Sequence, residues 1–336
     1  MNRILLALAT LMACAGSAWA QDSLTLFGVV DLAARAVKND QTQYQLASGG
    51  LQTSRLGIRG TEDLGDGMSA GFWLEGELLP DTGNPNGFNW MRRSTVSLAV
   101  PGVGELRAGR DKVPTLYEWE DFDPFRDAGV GRSTRLSLGN GLVPSGGAYN
   151  TFSRASNSVG YLLPGNLGGL FGQAMVAAGE NSPGGKYMGA RIGYRAGDLV
   201  ASASYGTTEV TASIDAKIWN LGGTYDFKLI KLWGFYSSLE IGAASQDNWL
   251  LGLTVPMGLM EWRASYQSMD GGGTLGGREA SMVAIGGVYS LSRRTALYGT
   301  YSRISNSGTT FTVASGSPLT VGNDSSGYEV GIRHSF

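Results

Sequence analysis

Alternation with a period of two runs through this chain from Ser23 to the last residue, Phe336. Leu24, Leu26, Val30 and Leu32 share one face of an extended segment, and Thr25 and Asp31 take the other. Leu56 and Ile58 oppose Arg55, Gly57 and Arg59, and Ala70, Phe72, Leu74 and Leu78 oppose Trp73, Glu75 and Glu77. Met260, Trp262, Ala264 and Tyr266 oppose Glu261, Arg263, Ser265 and Gln267. Successive side chains of a strand point to opposite faces, so this pattern demands sheet with one apolar and one polar surface. The same rule puts Tyr328, Val330, Ile332, His334 and Phe336 on one face of the final segment. Chain ends usually fray and are polar. A strand pattern ending on an aromatic implies a partner strand for the terminus.

Glycine narrows the choice further. The chain has 52 glycines and only 10 prolines, with the glycines scattered through the alternating segments. Glycine costs about 1 kcal/mol per helix position, so long helices are excluded. Residues 155–179 carry no charge, but Pro164-Gly165-Asn166 divides them, and we read two strands and a turn. Short connectors fall at 62–68, 163–169, 195–198, 255–258 and 290–295. Long polar ones fall at 79–89, 110–150, 206–216, 268–278 and 304–325. Short turns alternating with long loops describe an up-and-down barrel in an outer membrane, and about ten residues per strand gives about 16 strands. A secreted β-sandwich alternates in the same way. Against it stand the glycines and arginines on the polar faces, the aromatics near strand ends, and the closure that a barrel provides for its last strand.

The first 20 residues read as an export signal: one basic residue (Arg3), an apolar run from Ile4 to Met12, and Ala18-Trp19-Ala20 before the expected cleavage. The run is too short to span a membrane as a helix. The sole cysteine, Cys14, lies within it, so residues 21–336 form a barrel domain without disulfides. Lys and Arg number 26 and Asp and Glu 28, a balance that does not favour nucleic acid as a partner.

Several stretches resemble one family, the Gram-negative general porins of β-proteobacterial and neisserial type. They are QDSLTLFGVVD, SRLGIRGTEDLGDGMSAGFWLE, VPGVGELRAGRD, FDPF, RASNSVGY, IGGVYSLSRRTALYGTYSRISN and the terminal GIRHSF, which together span residues 21–336. The resemblance implies an all-β transmembrane antiparallel barrel of 16 strands with an inward-folded third loop. It also implies a homotrimer in outer-membrane lipid and lipopolysaccharide, passive diffusion of small hydrophilic solutes, and a C-terminal aromatic, here Phe336, read by the barrel-assembly machinery.

A pore of this kind works by fixed charges around a wet constriction. Parity puts Arg55, Arg59, Arg107 and Arg154 on the lumen side. Arg110 opens the long loop. At Arg92-Arg93 the signals conflict: alternation with Val96 and Leu98 selects Arg93, whereas the resemblance selects Arg92, which we carry forward. A charge facing lipid costs about 2–4 kcal/mol at the midplane, so the arginines belong inside or at the rims. The opposing charges are expected from the third loop, at Glu118, Glu120, Asp121 and Asp123. A surplus of arginine implies weak anion preference; a substrate-specific channel for a small anion is the alternative.

Enzymatic barrels are disfavoured, because a hydrolytic base needs a placed histidine and the only one, His334, has lipid-facing parity. Gly271-x-Gly273-x-x-Gly276 lacks a following helix and is no dinucleotide site. We expect no metal or cofactor.

Overall fold

The computed structural model describes residues 23–83, 89–126, 128–136, 150–180, 184–211 and 213–336. The expected signal, residues 1–20, lies outside them. The chain runs through β1 (Ser23–Lys38), β2 (Thr42–Ser48), β3 (Arg55–Gly65), β4 (Met68–Glu77), β5 (Arg93–Val100) and β6 (Gly104–Lys112). One helical turn, α1 (Leu116–Asp121), follows. Then come β7 (Arg154–Leu162), β8 (Leu170–Ala177), β9 (Tyr187–Ala196), β10 (Leu199–Thr211), β11 (Ile214–Asp226) and β12 (Lys231–Ile241). β13 (Ala244–Met257), β14 (Met260–Gly273), β15 (Glu279–Ser290), β16 (Thr295–Ser307) and β17 (Ser325–Ser335) complete the sheet.

From β3 onward each strand pairs antiparallel with its neighbour in sequence, β2 pairs with β1, and β17 pairs with β1 from Val29↔Ser335 to Lys38↔Ser326. The sheet is therefore a closed barrel. Its 17 segments make 16 staves, because β1 pairs with β2 over Leu32–Lys38 and with β3 over Ser23–Val29. β2 and β3 are one stave interrupted at residues 49–54. The interruption is pinned by Asp31, whose carboxylate accepts the N–H of Gly50 (3.2 Å), Leu51 (2.9 Å) and Gln52 (2.7 Å). Phe336 continues the closure: its N–H donates to Gly28 O, and its carbonyl accepts the N–H of Gly28, both at 3.1 Å.

The outer surface carries the apolar half of the alternation. Leu24, Leu26, Val283, Ile285, Val330 and Ile332 are exposed on it, the surface that lipid covers in a membrane barrel. His334 shares that face, its Nδ1 2.9 Å from Thr295 Oγ1. The expected pair of strands at 155–179 is β7 and β8.

The short connectors expected from the sequence gather at one end with Ser23 and Phe336, the periplasmic end by the usual asymmetry of such barrels. At the other end the expectation of long loops fails in part. β10 runs to Thr211 and β11 starts at Ile214, so 206–216 is ladder, not loop. β14 likewise runs to Gly273, leaving only 274–278 of the expected loop at 268–278. Polar residues there mislead because a strand rising beyond the bilayer keeps its hydrogen bonds without needing an apolar face.

The third loop, over its described residues 113–126 and 128–136, folds into the barrel. Val113, Leu116, Trp119 and Phe122 pack with Ala155, Met175, Phe235 and Leu250. Trp119 meets Phe235 edge-on at 4.5 Å between ring centroids. Farther along, Phe125, Val130 and Leu136 pack with Met282 and Ile304, and with Phe311 and Val313 of the last loop. Wall groups then pin the loop's backbone. Asn220 Nδ2 donates to Thr115 O (2.8 Å), Gln246 Nε2 to Leu136 O (2.5 Å) and Ser302 Oγ to Val130 O (2.7 Å). The N–H of Val130 donates to Glu329 Oε1 (3.0 Å). Close approach explains part of the glycine content. A Cβ on Gly222 would lie 2.0 Å from the Phe122 ring, and Gly129, at φ +75°, crosses Gly50 O where a Cβ would lie 2.2 Å away.

Candidate functional site: the pore constriction

The polar wall opposite the docked loop is built by β3 to β7. Glu75 on β4 sits between two guanidiniums: Arg92 Nε donates to its Oε1 at 2.7 Å, and Arg55 Nε lies 3.8 Å from the same oxygen. Arg154, at the start of β7, donates from Nε to Arg92 O at 2.7 Å. Lys112 is the ladder partner of Arg154 and is ion-paired with Glu120 of α1. Arg55, Arg92 and Arg154 are thus brought together, with Glu75 and Lys112 as members that the sequence pattern did not place there.

The other predicted arginines are distributed around this cluster. Arg107 is held by Asp111 (2.7 Å) and Glu105 (3.0 Å). Arg110 needs correction as a lumen residue: its ladder partner is Ser94, on the outward parity of Val96 and Leu98, and it donates to Met91 O (2.6 Å) and Ser156 Oγ (2.8 Å), bracing the loop's base. Arg59 lies lower on β3, 5.1 Å from the Trp73 ring and 5.5 Å from that of Phe27. The conflict at Arg92-Arg93 dissolves, because both point inward. Arg92 precedes β5, where parity has not begun; Arg93 follows parity, bonding Thr95 Oγ1 (3.0 Å) and covering Trp73 (4.5 Å).

Two of the four loop acids need correction as lumen charges. Glu118 is wholly buried: its Oε1 accepts Arg191 Nε (2.6 Å) and Ser202 Oγ (2.8 Å). Burial pushes its carboxyl up, against the opposing pull of Arg191. Asp123 is also buried and turns back on its own loop, accepting the N–H of Phe125 (2.8 Å) and of Ser133 (2.6 Å). Desolvation raises it to about 7. Both are loop fasteners, placed by α1 ending at Phe122 before Pro124, which cannot continue a helix. Asp121 is exposed but paired with Arg191 Nη2 at 2.7 Å. Glu120 is the one of the four that lines the cavity between loop and wall.

That open space, a cavity of ≈ 450 Å³ between loop and wall, is lined by Arg55, Lys112, Arg126, Arg263 and Arg333 against Glu120 and Glu261. Arg126 protrudes from the loop at φ +58° and makes no ion pair with any described residue. Arg263 is paired with Glu261 at 2.7 Å, and Arg333 reaches Gln52 Oε1 only at 3.5 Å. The sequence reading put Arg263 on a polar face, but it assigned none of Arg126, Arg263, Arg333 or the loop clamp Arg191 to the pore. Parity signals three of them, since each is an arginine opposite outward apolar neighbours.

A closed antiparallel barrel with an apolar exterior, and a charged lumen narrowed by its own loop, is an outer-membrane diffusion channel. The Gram-negative porin family matches residues 7–309. Outer membrane porin protein 32 of Delftia acidovorans is 37% identical, over 100% of both chains. An outer membrane porin protein of Bordetella pertussis is 27% identical, over 90% of this chain and 94% of its own. Among solved structures, an anion-selective porin from Comamonas acidovorans superposes with a TM-score of 0.86 at 34% identity. It covers 94% of this chain and 100% of its own. The trimer form of Vibrio cholerae OmpT shares the fold at a TM-score of 0.73 and 14% identity, covering 94% of this chain and 99% of its own. The chain belongs to the Gram-negative porin family: it is an outer-membrane protein forming a channel for passive diffusion.

Proposed function

We propose that the pore passes small hydrophilic solutes and ions with a weak preference for anions, set where the third loop faces β3 to β7. The observation that carries this reading is the charge of the central cavity, five cationic side chains against two carboxylates. The loop acids expected to oppose the wall are spent on Arg191, Lys112 and backbone N–H groups. Arginine stays charged at any working pH, so the surplus is permanent. The relative from Comamonas acidovorans, described as anion-selective, supports the same sign. The test is the reversal potential in a planar bilayer under a KCl gradient, expected on the anion side and growing as salt falls. Saturable block by one small anion would favour the substrate-specific alternative.

The proposal includes cleavage of residues 1–20 on export, residues 21–336 as the barrel, and a homotrimer in lipid and lipopolysaccharide. It includes transport without catalysis, since His334 faces outward, away from the lumen. Phe336 is proposed as the mark read by the barrel-assembly machinery as well as a closing residue. Deleting it is expected to lower outer-membrane yield more than it lowers the stability of protein refolded in detergent, compared by heat-shifted migration on gels. Equal losses would leave it a closing residue only.

A further inference from the structure

The break in the second stave at residues 49–54 is larger than strand pairing needs. Leu32 of β1 pairs with Ser48 and Val29 with Arg55, so six residues stand opposite two, Val30 and Asp31. An ordinary β-bulge inserts one extra residue, and four in excess must leave the ladder. They leave it inward. Leu51 packs against Ala33, Val288, Ala296 and Tyr298 on the lumen side, and Leu51 and Gln52 line the central cavity. The cavity that Arg59 lines, ≈ 410 Å³, shares no lining residue with it, so the excursion bears on the central one.

Both feet and the tip of the excursion are fastened to Asp31, which is wholly buried. Its carbonyl accepts the N–H of Gly49 (3.0 Å), and its N–H donates to Ser54 Oγ (3.0 Å), which donates back to Asp31 O (3.1 Å). Its carboxylate takes the N–H groups of Gly50, Leu51 and Gln52, and the Tyr298 hydroxyl donates to the same carboxylate. Tyr298 reaches it from two staves away, over Gly331 of β17, where a Cβ would lie 2.3 Å from the hydroxyl oxygen. A fully satisfied buried network rigidifies the backbone that carries it, so the excursion is an arm and not a loose loop. The third loop leans on this arm, Gly129 N–H donating to Gly49 O at 3.1 Å.

We propose that residues 49–54 are a second constriction arm, carried by the wall itself, whose tip at Gln52 limits, with the third loop, the size of solute that passes. Asp31 is its positioning residue. The arm acts on size and not on sign, because Leu51 and Gln52 carry no charge and Gln52 meets Arg333 only at 3.5 Å. A narrow pore sorts solutes by its diameter as well as by the charges around it. Here the charges stay with the arginines, so the arm rests on the diffusion channel and is independent of its anion preference.

The experiment reconstitutes the full-length channel in liposomes and compares swelling rates in isotonic arabinose and sucrose, uncharged solutes of different size. The sucrose-to-arabinose ratio should rise in Gln52→Ala, which shortens the tip, and fall in Gln52→Trp, which enlarges it. Asp31→Asn and Tyr298→Phe weaken the hold on the arm and should also raise the ratio, Asp31→Asn by more. A ratio unmoved in both Gln52 variants would overturn the arm. A ratio moved by those variants but unmoved in Asp31→Asn and Tyr298→Phe would overturn Asp31 as its positioning residue. If Asp31→Asn fails to assemble, Tyr298→Phe decides that point alone. Reversal potentials under a KCl gradient, taken on the same proteins, separate size from charge. The wild-type value should persist in the Gln52 variants, and a shifted value would overturn the neutral role of the tip. Cation preference in the wild type, together with a moved ratio in the Gln52 variants, would overturn the anion reading and support the arm.

Discussion

The inner wall has two halves that obey one rule on the outside and opposite rules within. From β3 to β7 the lumen face carries Arg55, Arg59, Arg93 and Arg107 with Glu75, and it stays wet. From β11 to β16 the lumen face carries Phe235, Leu250, Met282 and Ile304, with Asn220, Gln246 and Ser302 among them, and it is buried beneath the third loop. In β12 the inward positions Trp233, Phe235, Leu239 and Ile241 are apolar too, beside outward Leu232 and Tyr236, so alternation there fades. Alternation thus reports which side of a strand faces lipid, while the inward residues report whether water or the protein's own chain fills the lumen. The pore exists because only one half of the wall holds the loop.

Breaking the grip should produce the largest change. Arg191→Ala leaves Glu118 as an unpaired buried charge, a loss of about 3–5 kcal/mol of docking. We expect faster proteolysis within residues 113–153 and a larger single-channel conductance. Unchanged conductance would show that the loop is held by its apolar contacts alone. A smaller effect is expected from Gly222→Ala, whose methyl would enter the space of the Phe122 ring. Overpacking of this kind costs about 1–3 kcal/mol, read as a lower melting temperature in detergent with the barrel's β signal intact.

The pH response is subtler. Asp123 is raised from 3.8 to about 7 by burial, so the docked loop holds its proton where the free loop has lost it. Docking is then favoured at low pH, and this contribution falls as pH rises from about 4 to about 7. Glu118 acts with the same sign, so the difference between wild type and Asp123→Asn isolates Asp123. Loop proteolysis should be slower at pH 5 than at pH 8 in the wild type, and that ratio should shrink in Asp123→Asn. A wild type equally protected at both pH values would contradict the assignment.

Much of this was legible in the residues, and the omissions have physical reasons. The closure at Phe336 and the lumen side of Arg55 and Arg107 follow from parity and from the need to pair the last strand. Parity gives a side but neither a height nor a partner. It could not show that Arg55 and Arg59 line separate cavities, or that Glu75 would bridge Arg55 and Arg92. It does signal Arg191 between outward Met188, Ile192 and Tyr194, and Arg263 between Trp262 and Ala264. Neither was assigned to the pore, because both lie far along the chain from the loop. Glu118 and Asp123 escaped for another reason: a loop has no period, and only its docking decides which acids are buried. The break at 49–54 was hidden because its anchor, Asp31, is on the neighbouring stave.

The central claim is that the wet half of the wall sets the sign of selectivity. Reversal potentials under a KCl gradient, measured side by side for the wild type, Arg55→Gln and Arg303→Gln, test it most directly. Arg55 lines the central cavity, whereas Arg303 is exposed and tied to Asp324. Screening acts over about 8 Å at physiological salt, so only charges at the narrow point should count. The account predicts anion preference in the wild type, a shift toward cations in Arg55→Gln, and little change in Arg303→Gln. Cation preference in the wild type, or equal shifts in the two variants, would contradict it.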